Sequence, residues 1–222
     1  MMVVLLVIVT FAVFIAIDLL LSRQKVPVVA PVAQEVEIPA LGQEVLSGFH
    51  VPMNLKYHPG HTWVQKERKN VHRVGADELA AVLAGPVDRI ELPKPGQWVR
   101  QGQKVFAFYR GDEKIEMVSP VEGEVVEVNR EIAENPRLLL EDPYGRGWLM
   151  TVFSPDEESP TRNLLPSSLI PAWIRESAET FYRFQPQPAG ATAADGGRAS
   201  KDATAALPVE RWKEAARALL LS

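Results

Sequence analysis

Between residues 51 and 153 glycine and proline cut the sequence into short runs. These are HTWVQKE, VHRVG, VDRIELP, QWVRQGQ, KVFAFYR, EKIEMVSP, EGEVVEVN and GWLMTVF. Apolar and polar residues alternate within them, the period of a half-buried strand. Many short strands at close spacing fit a small β-sandwich or barrel. One helix is expected in GADELAAVLAG, where Leu79, Val82 and Leu83 fall at helical spacing, Asp77 and Glu78 open it and Gly85 closes it. A second helical region, NREIAENPRLLLED, is broken at Pro136. RIELPKPGQWV at 89–99 echoes KIEMVSPVEGEVV at 114–126. Two copies of one hairpin-like unit, related by a pseudo-twofold axis, would leave that trace.

The flanks read differently. Residues 1–22 are apolar from Val3 to Leu21 except at Thr10 and Asp18. As a helix that stretch reaches ~29 Å, enough for a bilayer core. No basic residue precedes it and no small-x-small site follows, so it reads as a retained single-pass anchor, not a cleaved signal. Arg23 and Lys25 follow it, which places the rest of the chain on the cytoplasmic side of a bacterial-type inner membrane. Asp18, near that end, is either an interfacial carboxylate beside Arg23 or a contact to another membrane helix. Residues 23–50, with three prolines and no helical period, read as an extended tether.

Residues 51–184 form the folded body. It ends in a helix whose first turn holds Pro171 and whose stripe of Trp173, Ile174, Ala178, Phe181 and Tyr182 docks on the core. Residues 185–207 are small, polar and rich in proline and glycine, the composition of a disordered linker. Residues 208–222, PVERWKEAARALLLS, set Val209, Trp212, Ala216, Leu219 and Leu220 on one side of a short amphipathic helix. That helix is a docking peptide, a membrane-surface helix or a frayed terminus.

Composition excludes several chemistries. The net charge is −4 with acids and bases interspersed, so no basic field awaits nucleic acid. The chain has 0 cysteines, which removes disulfides, thiolate metal sites and a cysteine nucleophile. His58-x-x-His61 lacks a third ligand nearby, and His50 and His72 suggest no cluster, so no metal is expected. There is no Gly-x-Ser-x-Gly elbow and no phosphate loop, since DGGRAS lies in the linker. Trp63, Trp98 and Trp148 read as core or rim packing. The chain does not read as an enzyme.

From Tyr57 to Val152 the sequence resembles the glycine cleavage H proteins. HTW at 61–63, VGADELAAVLAGPVDRIELPKPGQWVRQGQ at 74–103 and SPVEGEVVEVNREIAENPRLLLEDPYGRGWL at 119–149 match the family's segments in order, with DPYGRGW the most specific. The resemblance implies a mainly β fold with short helices, a barrel-sandwich hybrid of the lipoyl type with an internal pseudo-repeat. It also implies a lysine at a hairpin tip that carries lipoate. In that family the arm shuttles an aminomethyl group and electrons among three partner enzymes.

The family's lysine lies eight residues before the proline that matches Pro120, which falls on Asp112. The hairpin can be registered independently. KVFAFYR-GD-EKIEMVS is two strands around Gly111–Asp112. A two-residue loop pairs Arg110 with Glu113, Tyr109 with Lys114, Phe108 with Ile115 and Phe106 with Met117. Lys114 is then a strand residue beside Tyr109 and the tip is Gly111–Asp112. A carboxylate cannot form the amide to lipoate, so no cofactor is expected. Lipoate on Lys114, the nearest lysine, is the alternative.

The expected function is a non-catalytic, membrane-anchored H-protein-like scaffold that binds protein partners, subunits of a membrane-associated complex, at the cytoplasmic face. A carrier lipoylated at Lys114 is the second reading. A periplasmic adaptor of the secretion or efflux type is the third.

Overall fold

A computed structural model of the chain describes residues 43–156, 162–185 and 203–221. The expected anchor at 1–22 and most of the tether and linker lie outside those residues. Among the described residues no helix is long and apolar enough to cross a membrane.

The fold is mainly β with short helices. A hairpin of β1 (Gln43–Leu46) and β2 (Phe49–Pro52) precedes a six-stranded sheet. That sheet holds β3 (Lys56–His58), β4 (Thr62–Arg68), β5 (Val71–Ala76), β7 (Trp98–Val99), β10 (Gly123–Val128) and β11 (Trp148–Phe153), in the spatial order β3-β4-β5-β11-β10-β7. A three-stranded sheet sets β8 (Lys104–Arg110) between β6 (Arg89–Glu91) and β9 (Glu113–Val118). Between β5 and β6 runs α1 (Glu78–Ala84). Asp77 caps it by accepting from the Ala80 N–H at 2.8 Å, and every residue of it is buried. The proline-broken region forms two single turns, α2 (Arg130–Glu134) and α3 (Leu138–Glu141). Asn129 caps α2 by accepting from Glu131 and Ile132, and its amide donates to the Arg146 and Trp148 carbonyls.

The sequence echo has a structural counterpart. Arg89 and Lys114 both pair with Tyr109, Ile90 and Ile115 both with Phe108, and Glu91 and Glu116 both with Ala107. The two basic–Ile–Glu segments therefore flank β8 in equivalent registers. Their continuations, β7 and β10, pair with each other.

Three expectations need correction. The tether does not run to residue 50: Ser47 and Gly48, both with positive φ, close the β1–β2 hairpin, and Phe49 and Val51 are buried in the body. A two-residue Ser-Gly loop between apolar runs is a hairpin signal. The linker does not run to residue 207, because Thr204 and Leu207 are buried. The terminal helix, α5 (Val209–Leu219), is neither frayed nor free: Trp212, Ala215, Ala216, Leu219 and Leu220 belong to the core of its own domain. Of the stripe on helix α4 (Ile170–Phe184) that was expected to dock, Ile174, Ala178 and Phe181 are buried and Trp173 is half-buried, but Tyr182 is exposed; Ile170 is buried as well.

Candidate functional site: the β8–β9 hairpin

β8 and β9 pair through Arg110↔Glu113, Tyr109↔Lys114, Phe108↔Ile115 and Phe106↔Met117. This is the register read from the sequence. Gly111 takes φ +59° and Asp112 has no positive φ, the pattern of a type II′ turn with glycine at its first central position. The Gly111 N–H donates to the Asp88 carboxylate at 2.7 Å. Asp112 is exposed at the tip.

The hairpin has two unlike faces. On the outer face the Lys114 ammonium donates to Glu116 at 2.9 Å, and Lys104 stands 3.5 Å from the same carboxylate. The hydrogen bond and charge of Glu116 raise the pKa of Lys114 above the ordinary lysine value. The Tyr109 hydroxyl donates to Glu91 at 2.7 Å, and the Arg89 guanidinium lies 3.6 Å from the Tyr109 ring centroid. The adjoining cleft, lined by Glu91, Lys94, Lys104, Lys114 and Glu116, holds about 240 Å³. That is below the size of an ordinary ligand pocket.

On the inner face Phe106, Phe108, Ile115 and Met117 are buried. Arg110 and Glu113 continue that face to the tip, and both meet the C-terminal segment. Arg110 donates to the Ala84 carbonyl at 2.7 Å and the Thr204 carbonyl at 3.0 Å, and lies over the Trp212 ring at 4.2 Å. Glu113 is ion-paired with Lys213. Sequence reading did not bring residues 203–213 to this site. The signal for it was a charged pair on the face that the alternation assigns to the core.

A second arrangement was also missed. His61 Nδ1 lies 2.7 Å from Asp77 Oδ2 and Nε2 lies 3.1 Å from Ser177 Oγ, with Trp173 stacked on the ring at 4.5 Å. In the neutral ring Nδ1–H donates to Asp77 and Nε2 accepts from Ser177. His61 is 0% exposed and Ser177 sits mid-helix, where backbone N–H groups are spent in the helix and offer no oxyanion donors. The three residues tie α4 to β4 and α1. The histidine pair considered for metal is occupied too, since His58 Nδ1 accepts from the Gly60 N–H at 3.0 Å. Among the described residues no group of three or more His, Asp or Glu is placed to hold a metal ion. Trp63 is buried, Trp148 half-buried, and Trp98 is 49% exposed.

The family model for the glycine cleavage H-protein matches residues 55–175, more than half of the chain. The chain belongs to that family. A glycine cleavage system H protein of Alteromonas mediterranea is 36% identical over 48% of this chain and 83% of its own length. One from a Shewanella species is 33% identical over 57% of this chain and 98% of its own length. A solved H protein from Mycobacterium marinum has a TM-score of 0.49 and 24% identity, covering 57% of this chain and 98% of that one. Members of the H-protein family are lipoyl carriers, not catalysts, and hold lipoate on a lysine. Residues beyond 175, including α5, lie outside the family match.

Proposed function

We propose that this chain is an H-family protein that has kept the scaffold and dropped the arm, and that it works by binding protein partners. The observation that carries the reading is the hairpin tip. Gly111–Asp112 forms the turn, and Lys114 lies on the strand, paired with Glu116. The apolar stretch Val3–Leu21 and the following Arg23 and Lys25 support a role at the cytoplasmic face of a membrane. There the body would join a membrane-associated complex as a non-catalytic subunit. Incubation with a lipoate–protein ligase, ATP and lipoate tests the reading. No incorporation into the wild-type chain is expected, and lipoate on Lys114 would overturn it. Protease digestion of spheroplasts tests sidedness: the body should resist digestion until the cells are lysed.

A second reading keeps the family's chemistry, with Lys114 as carrier. Its support is the carrier role of the relatives and the exposure of Lys114 two residues from the tip.

A further inference from the structure

The C-terminal segment lies along the hairpin for the length of β9. At one end Lys213 pairs with Glu113, next to the tip. At the other, the Leu220 carbonyl and a Val118 methyl both lie against Gly60. Trp212, next to Lys213, and Ala215, Ala216 and Leu219 between the two ends fill a groove walled by α1, α4 and β9. The groove also offers placed polar partners. The Trp212 indole donates to the Leu83 carbonyl at 2.9 Å. The Thr204 hydroxyl donates to the Val82 carbonyl at 2.9 Å and sits over Gly85, where a Cβ would come within 2.4 Å of it. Arg110 donates to the Thr204 carbonyl and stacks on Trp212, so one side chain of the hairpin grips both parts of the segment.

The segment is an addition to the family body. The family match ends at residue 175, and small, polar, proline- and glycine-containing sequence separates α4 from residue 203. A family match that stops short of the segment, a groove with a Trp-x-x-Ala-Ala-x-x-Leu-Leu imprint, and a sequence suited to a flexible connection are the parts of a helix-in-groove interaction made within one chain.

We propose that residues 203–221 are an intramolecular ligand: a strap seated in a helix-binding groove of the H-type body, where it splints the hairpin from beneath at Arg110 and Glu113. When the strap is seated, the inner face of the tip is closed to other proteins. When it leaves, that face and the groove open together. The groove is a receptor for amphipathic helices, and its resident occupant is the chain's own C-terminus. This holds whether or not Lys114 is ever modified, so its failure and that of the non-carrier reading are separable.

The test uses the full chain with a protease site placed within residues 186–202. After cleavage the C-terminal piece should co-elute with the body, and excess labelled peptide of residues 203–222 should replace it. The same peptide carrying Trp212→Ala should not. Removing the piece should speed amide exchange at residues 110–114 by roughly tenfold or more. The proposal is overturned if the cut piece departs with no change in hairpin exchange. It is equally overturned if the piece stays and no labelled peptide enters at any concentration, because the segment is then fixed core and not a ligand.

Discussion

The two faces of the β8–β9 hairpin use the same chemical parts in different solvents. Outside, Arg89 lies over Tyr109 and Lys114 pairs with Glu116. Inside, Arg110 lies over Trp212 and Lys213 pairs with Glu113. The outer ion-paired side chains are exposed, with Arg89 60% and Lys114 47% accessible. Water and salt screen such pairs, and ordering two long side chains offsets most of the attraction. Inside, a half-buried Arg110 packs on a Trp212 that is 0% exposed, while the Lys213–Glu113 pair keeps 22% and 44% of its side-chain surface accessible and is screened much as the outer pair is. The cation–aromatic contact is what differs: at Arg110 it comes with apolar burial of Trp212 and with the Ala84 and Thr204 carbonyls, which lose a donor if it is broken. Chemical identity alone therefore says little about which side holds the hairpin. Burial decides it.

Five substitutions and a pH series break or sharpen this contrast. Trp212→Ala should cost the most, about 3–5 kcal/mol in urea unfolding, because it empties a closed core position and strips the strap of its anchor. Arg110→Ala should cost about 2–3 kcal/mol, since the Ala84 and Thr204 carbonyls lose a shared donor. Arg110→Lys should recover only part of that loss, because an ammonium cannot present the planar fork.

Acid separates the two faces next. Burial, with help from the nearby His61, lowers the pKa of His58 below 6.5 in the folded chain. The unfolded chain then takes up this proton first. Stability from His58 is complete above pH 6.5 and falls as pH drops from there toward the lower folded value, by at most about 1.4 kcal/mol per pH unit. His58 holds the Gly60 amide beside the end of the strap, so the loss falls on the inner side. A His58→Asn chain should lack that slope. The hydrogen bond to Lys114 lowers the pKa of Glu116 below 4.5, so its contribution persists down to pH 4.5 and is lost only below it. Last, Lys114→Ala should move the unfolding midpoint least of all, because its pair with Glu116 is exposed and screened. A clear destabilisation would mean that the outer face also holds the hairpin.

What the sequence made legible follows from distance along the chain. The hairpin register could be read because Gly111–Asp112 and the alternation of Phe106, Phe108, Ile115 and Met117 are local. The α1 cap and the break at Pro136 are local too. The strap and the buried His61–Asp77–Ser177 cluster could not be read in the same way. Arg110 and Thr204 are 94 residues apart, His61 and Ser177 are 116 apart, and Leu83 and Trp212 are 129 apart. Such pairings leave no period in the sequence, and a low-complexity stretch before residue 203 suggested that the terminus stood away from the body. The β1–β2 hairpin was local and legible in its Ser47–Gly48 loop, but three upstream prolines gave the whole region the look of a tether.

The central claim is that Asp112 at the tip and the paired Lys114 make this H-family chain a binder and not a carrier. The intact mass of the protein isolated from its native host tests it most directly. A mass free of any lipoyl increment is expected. A lipoyl increment that fragmentation places on Lys114 would contradict it.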